Sequence, residues 1–141
     1  MKLSENKIAE WFLRISLSAG FLSASADRFG MWPKDISAWG NWHSFVDYTK
    51  SLMPFVPNGI VPVFACIATG LEILFGILLL TTFKTKWVAK ASAILLLLFA
   101  LSMTMSKSIK APLDYSVFTA SAAALVLSIL VKKEPIKEYS N

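Results

Sequence analysis

The sequence predicts an all-α integral membrane protein, a four-transmembrane-helix bundle with a short amphipathic helix in the first outer connection. Of the 141 residues, 55% are hydrophobic and only 16% are charged, whereas soluble domains carry about a quarter charged residues. Four apolar stretches have roughly the 17–25 residues that a helix needs to cross the hydrocarbon core. None shows the alternation of barrel strands, and only helices or closed barrels satisfy every backbone group in lipid.

The four predicted spans cover about residues 8–28, 59–82, 87–106 and 114–132, and the whole chain, 1–141, is predicted to form one domain. An A-x-A-like sequence near the end of the first stretch is typical of a signal-peptide cleavage site. A basic residue inside that stretch favours a retained span instead.

Basic residues are distributed unequally over the connections. Of 14 lysines and arginines, nine lie in the N-terminal segment, the second connection and the C-terminal segment, and five lie in the first and third connections. The positive-inside rule therefore predicts that both termini are cytoplasmic. The net charge of +5 would suit a phosphate-rich partner. The basic residues lie in short connections between apolar stretches, however, so nucleic acid is not expected as a partner.

Cysteine and histidine content limits the chemistry of the chain. The single cysteine, Cys66, excludes an intramolecular disulfide, a dithiol redox pair and a cysteine-based metal site. The single histidine, His43, excludes a multi-histidine metal centre, so no metal site is predicted. His43 together with a methionine could ligate haem, but one such pairing in a loop is a weak signal.

The first connection is predicted to form an amphipathic helix over about residues 39–52. Trp39, Trp42 and Phe45 fall on one arc of the helical wheel, and polar residues occupy the other. Two interpretations follow, an anchor in the membrane interface or an aromatic wall over a flat ligand such as a quinone ring.

Two charged residues are predicted to lie at membrane depth, where charge is costly. Glu72 is roughly 16 Å and Arg14 about 9 Å from the cytoplasmic ends of their spans at 1.5 Å per residue. Because the spans run antiparallel and the arginine is long, we expect a buried Arg14–Glu72 contact. The contact is interpreted either as an ion pair that sets helix register or as a proton-accepting or head-group-binding site.

Each of the two charges belongs to a predicted inward face. On the second span, the residues that share the face of Glu72 are Ala65, Thr69 and Gly76. On the first span, the stripe at helical spacing consists of Arg14, Ser18, Phe21, Ser25 and Arg28.

A second group of polar candidates gathers at the outer ends of the spans. Asp27 and Arg28 close the first span, Lys107, Lys110 and Asp114 join the third and fourth spans, and Tyr115 lies at the start of the fourth. These residues are interpreted either as helix caps and side chains that reach lipid phosphates, or as an outward-facing polar mouth beneath the tryptophan-bearing helix.

Several stretches resemble the bacterial DoxX family, with matching order and spacing from about Arg14 to Leu130. They are Leu13-Arg14-Ile15, Ala26-Asp27-Arg28-Phe29-Gly30, Gly40-Asn41-Trp42, Leu71-Glu72-Ile73-Leu74-Phe75-Gly76 and Ile109-Lys110-Ala111-Pro112-Leu113-Asp114-Tyr115-Ser116-Val117-Phe118. Relatives often have Trp-Gly-Pro where this chain has Trp32-Pro33-Lys34. The resemblance implies a four-helix protein of the bacterial inner membrane. Some relatives are subunits of a thiosulfate:quinone oxidoreductase, others are associated with membrane redox-stress complexes, and no agreed catalytic set carries over.

The leading hypothesis is a DoxX-like, non-catalytic or quinone-binding subunit of a membrane redox system, with no catalytic centre of its own. The expected partners under this hypothesis are membrane lipid, a quinone, a partner redox subunit and a second copy of the chain. Two alternatives stay open. One is a component of a small proton-coupled transporter or permease, which with so few spans would require a dimer. The other is a membrane scaffold without a ligand.

Overall fold

The computed structural model describes residues 4–131 of the chain, which contain six α-helices and no β-strand. The helices are α1 (Glu5–Arg28), α2 (Trp42–Leu52), α3 (Val61–Leu79), α4 (Thr85–Ser106), α5 (Lys110–Asp114) and α6 (Val117–Leu130). The predicted all-α class is confirmed for this part of the chain. Within it, α3 and α4 are the two helices long and apolar enough to cross a membrane, and α6 is a shorter apolar helix. The far end of the predicted fourth span, residue 132, lies outside the described residues.

The four longest helices pack as a bundle in the cyclic order α1, α3, α4, α6, and each contacts two neighbours. The most extensive contact is between α4 and α6, followed by that between α1 and α3. Helix α2 lies against α3, α4 and α1. The buried apolar core residues of the bundle are Leu17, Phe21, Leu79, Val88, Ala89, Ala93, Leu95, Ala124 and Leu127.

Helix α3 has Thr69 and Glu72 on its buried face and several large apolar residues on its exposed face. Its buried face consists of Val61, Ala65, Thr69, Glu72, Gly76 and Leu79, which confirms the predicted neighbours of the glutamate. Phe64, Ile67, Leu74 and Ile77 are exposed on the opposite side. Apolar side chains facing outward around a partly polar interior are typical of helices that contact lipid.

Helix α1 sets the register of the polar interior against α3. The hydroxyl of Ser18 donates to the carbonyl of Gly76 at 2.6 Å, which brings the two backbones together where α3 has no side chain. All five residues of the predicted stripe, from Arg14 to Arg28, are buried, so the inward face of α1 is confirmed.

The connections differ from the prediction at two places. Helix α2 begins three residues later than expected, because Gly40 adopts φ +74° and Asn41 caps the helix by accepting from the Ser44 amide at 2.9 Å. Before the fourth bundle helix, α5 replaces part of the expected loop, and Ser116 with φ 56° separates it from α6.

Candidate functional site

The central feature of the site is a buried ion pair between Arg28 of α1 and Glu72 of α3. The side chain of Arg28 is 4% exposed and that of Glu72 is 5% exposed. Nη1 of Arg28 contacts Oε2 of Glu72 and also donates to the hydroxyl of Thr69 at 2.7 Å. Thr69 lies one helical turn from Glu72, so one face of α3 supplies both acceptors.

The predicted Arg14–Glu72 contact is wrong. Nη1 of Arg14 lies 3.1 Å from Oε1 of Glu10, and its Nε donates to the carbonyl of Leu79 at 2.7 Å. Its Nη2 donates to the carbonyl of Thr81. Because α3 ends at Leu79, earlier than the predicted span, Arg14 lies opposite carbonyls at and just beyond that helix end and donates to them.

Phe45 and Trp39 from the first connection cover Arg28. Trp42 packs beside Phe45, and we name Trp39, Trp42 and Phe45 the aromatic roof. The guanidinium carbon of Arg28 lies 3.8 Å from the Phe45 ring centroid and 5.3 Å from that of Trp39. The Phe45 ring lies 5.2 Å from that of Trp39 and 5.6 Å from that of Trp42. Cation–π contacts of this kind are strongest where water is excluded, so the roof stabilises the charge that it covers.

Asp27 holds the loop that carries Trp39. Its carboxylate accepts hydrogen bonds from the backbone amides of Ala38 at 2.8 Å, Trp39 at 3.2 Å and Gly40 at 3.2 Å, and from the Ser37 hydroxyl. Several converging amides make a site that favours a negative charge. Adjacent residues of α1, Asp27 and Arg28, therefore both position the cover of the site.

We expect Asp27→Asn to loosen this loop. The amide NH₂ group places a donor where the carboxylate accepted, so at least one loop amide loses its partner. Hydrogen exchange measured by mass spectrometry should become faster for the peptide containing residues 37–40. The matched control is Asp35→Asn in the same loop, where the side chain is exposed. Equal exchange in both variants would contradict the role assigned to Asp27.

The remaining predicted candidates lie on the surface. The His43 side chain is 85% exposed and its Nε2 is 3.2 Å from Asp47, while Lys110 pairs with Asp114 one turn along α5. Tyr115 is exposed. Burial raises the pKa of the Tyr48 hydroxyl, and the neighbouring Tyr115 adds to the rise. In residues 4–131, no hydrogen bond or ion pair of His43, Lys110, Asp114 or Tyr115 reaches Arg28 or Glu72.

Sequence reasoning missed three contributors to the buried polar interior. Glu10 precedes Arg14 by four residues, and this helical spacing alone indicates the ion pair that forms. The sequence predicts that Thr69 shares the face of Glu72 and that Phe45 lies on the apolar arc of α2, but it predicts no cationic partner for either. No local signal identified the contacts of Thr69 and Phe45 with Arg28, because they join helices distant in the chain.

A shallow cleft of ≈ 400 Å³ lies beside the site on α1. Its lining residues are Gly20, Ser23, Ala24, Asp27, Trp32, Ile36, Ala38 and Trp39. Volumes of about 300–1,000 Å³ and mostly apolar walls are typical of small-molecule sites. Among the described residues there is no cluster of three or more His, Cys, Asp or Glu that could hold a metal ion.

Comparison with known families corrects the resemblance to DoxX. The model of the family described as methylamine utilisation protein MauE matches residues 6–114, and the DoxX family gives no match. No curated protein and no solved structure matches the chain. The match covers more than half of the chain, from α1 through α5, and the chain is a helical membrane protein that belongs to the MauE family.

Proposed function

We propose that this chain is a non-catalytic membrane component of a redox system that serves methylamine utilisation, the process in the family's description. The observation that carries the proposal is the buried Arg28–Glu72 pair beneath the aromatic roof. Both charges are committed to partners within the chain, as are Arg14 and Glu10. Such committed charges support a structural role in which the bundle presents a fixed outer surface to a partner protein that supplies the redox chemistry.

The same proposal includes four spans in a bacterial inner membrane with both termini cytoplasmic. Helix α1 has 24 residues, enough to cross the hydrocarbon core at 1.5 Å per residue, and it packs beside α3 and α6. The unequal distribution of lysine and arginine supports this orientation. It places the aromatic roof and α2 on the outer side, where a partner in the periplasm would meet them.

Quinone binding is the second candidate function, and the cleft on α1 favours it. Two indole rings, those of Trp32 and Trp39, line this cleft together with small and apolar residues. A flat apolar ring bound in this cleft would contact indole side chains in its lining. The pairing of Glu72 with Arg28 argues against transport, because this is the carboxylate that would carry the proton.

Genetic complementation tests the proposed function. In a bacterium that grows on methylamine and lacks its own MauE gene, expression of this chain should restore growth on methylamine. The variant Glu72→Gln should fail to restore it, because the neutral amide leaves Arg28 without its counter-charge. The matched control, Asp47→Asn on the exposed side of α2, should restore growth fully.

Membrane levels of every variant are measured by immunoblot, and growth on an unrelated carbon source controls for general toxicity. Failure of the wild-type chain to restore growth while it is present in the membrane would overturn the proposed function. Restoration by Glu72→Gln to the wild-type level would overturn the role of the buried pair.

A further inference from the structure

A cluster of lysines and aromatic rings lies where α3 connects to α4. Its members are Phe83, Lys84, Lys86, Trp87 and Lys90, and we name these five residues the basic surface. Phe83 is 59% exposed and Trp87 is 65% exposed. Because α3 and α4 are long and apolar enough to cross a membrane, the connection between them is expected at a membrane surface.

The positive charge of the basic surface is not balanced by the described residues. Across residues 4–131, none of its three lysines forms an ion pair. The chain contains no Asp or Glu over residues 73–113. Glu10, at the same end of the bundle, is paired with Arg14, whose guanidinium also donates to the Thr81 carbonyl of the connection. The three lysine charges are therefore available to an anionic partner.

Two exposed lysines at the opposite end of the bundle have carboxylate partners of their own. Lys50 pairs with Asp47 on α2, and Lys110 pairs with Asp114 on α5. Such pairs cancel much of the attraction for an external anion. The basic surface has no such cancellation, so its charge complements the negative potential of an anionic lipid surface.

The aromatic rings decide which anionic partner fits. Nζ of Lys84 lies 5.6 Å from the Phe83 ring centroid, and Nζ of Lys90 lies 5.0 Å from that of Trp87. An exposed indole beside a lysine is typical of the membrane interface, where the ring lies at the level of the headgroups and the ammonium reaches the phosphates. A nucleic acid or an acidic protein segment would match only the lysines.

We propose that the basic surface binds the headgroup of an anionic phospholipid. Lys86 and Lys90 are four residues apart on one face of α4, and both donate to phosphate oxygens of the headgroup. Lys84 adds a third positive charge from the connection, while Phe83 and Trp87 contact the glycerol and acyl region. The inference goes beyond the proposed function and stands without it, because lipid binding is measured independently of growth on methylamine.

Native mass spectrometry of the purified full-length protein tests the proposal. The protein in mild detergent is titrated with phosphatidylglycerol or with phosphatidylcholine of the same acyl chains, whose headgroup also has a phosphate but no net charge. We expect Lys86→Gln/Lys90→Gln to raise the dissociation constant of the first bound phosphatidylglycerol roughly 25-fold, because each lysine near an anionic lipid surface contributes about five-fold. Each single change should raise this constant about five-fold. Binding of phosphatidylcholine should stay unchanged.

The matched control is Lys34→Gln/Lys107→Gln, which lowers the net charge by the same amount at the opposite end of the bundle, where both side chains are exposed. It should bind phosphatidylglycerol as the wild-type protein does. Lys86→Arg/Lys90→Arg should also retain binding, because a guanidinium keeps the charge and pairs well with phosphate. The thermal midpoints of all these variants in lipid-free detergent should agree, because none of the changed side chains is buried.

Two results would overturn the proposal. An equal loss of phosphatidylglycerol binding in both glutamine double variants would show that only the net charge of the protein matters. Unchanged binding in Lys86→Gln/Lys90→Gln would show that these lysines do not hold the headgroup, and would leave an acidic segment of a partner protein as their match.

Discussion

The variant Glu72→Gln is expected to lower the free energy of unfolding by about 3–5 kcal/mol, the usual cost of breaking a buried ion pair from one side. The loss arises because Arg28, buried beneath Phe45, keeps its positive charge without a counter-charge. Denaturant unfolding of the detergent-solubilised protein, followed by tryptophan fluorescence, measures it.

Double-mutant cycles show which arginine is the partner. Arg28→Gln combined with Glu72→Gln should lower the free energy of unfolding by clearly less than the sum of the two single changes. The reason is that the second change removes the charge that the first leaves without a partner. Arg14→Gln combined with Glu72→Gln should be additive within about 0.5 kcal/mol. The exposed pair of α5, Lys110 and Asp114, is the matched control and should show a coupling of about 0–1 kcal/mol. Additive losses for Arg28 and Glu72 would contradict the pairing.

The variant Arg14→Met is expected to lower the free energy of unfolding by a similar amount, about 3–5 kcal/mol. It leaves the Glu10 carboxylate without its buried partner, the Leu79 carbonyl without its side-chain donor, and the Thr81 carbonyl with the Thr85 hydroxyl as its remaining side-chain donor. Arg14→Lys should recover only part of the loss, because one ammonium cannot reproduce the planar fork of a guanidinium.

Lys7→Gln is the matched control for this second loss. Lys7 contacts the same Glu10 carboxylate at 3.2 Å, but its side chain is 48% exposed. Exposed pairs contribute about 0–1 kcal/mol, so this change should be nearly silent. An Arg14→Met variant as stable as Lys7→Gln would contradict the assignment of Arg14 to the end of α3.

The helical class and the inward faces could be predicted because both depend on local patterns. Apolar stretches and helical spacing identified the stripe from Arg14 to Arg28 and the face of Glu72. The partner of Glu72 could not be predicted in this way, because it depends on the relative height of two helices. When a predicted helix end differs from the observed end by a few residues, the expected height changes by several ångströms. Here this difference changes the partner of Glu72 from Arg14 to Arg28.

The aromatic arc of α2 illustrates the same limit. The helical wheel placed Trp39, Trp42 and Phe45 together, but a membrane interface, a flat ligand and a buried cation all suit such an arc. The structure directs Phe45 and Trp39 toward Arg28, through a loop whose course depends on Asp27. Asp27 and the loop amides that it binds are about 10 residues apart in the chain. A contact of this kind produces no hydrophobic periodicity from which it could be predicted.

The most direct test of the buried pair is the reaction of Glu72 with dicyclohexylcarbodiimide, a lipid-soluble reagent that modifies protonated carboxyl groups open to the membrane. Peptide mass spectrometry of the labelled full-length protein assigns the modified residue. A carboxylate paired with Arg28 inside the bundle should stay unmodified in the wild-type protein and become labelled in Arg28→Gln. Labelling of Glu72 in the wild-type protein, at the rate found in Arg28→Gln, would mean that the carboxyl faces lipid without a cationic partner.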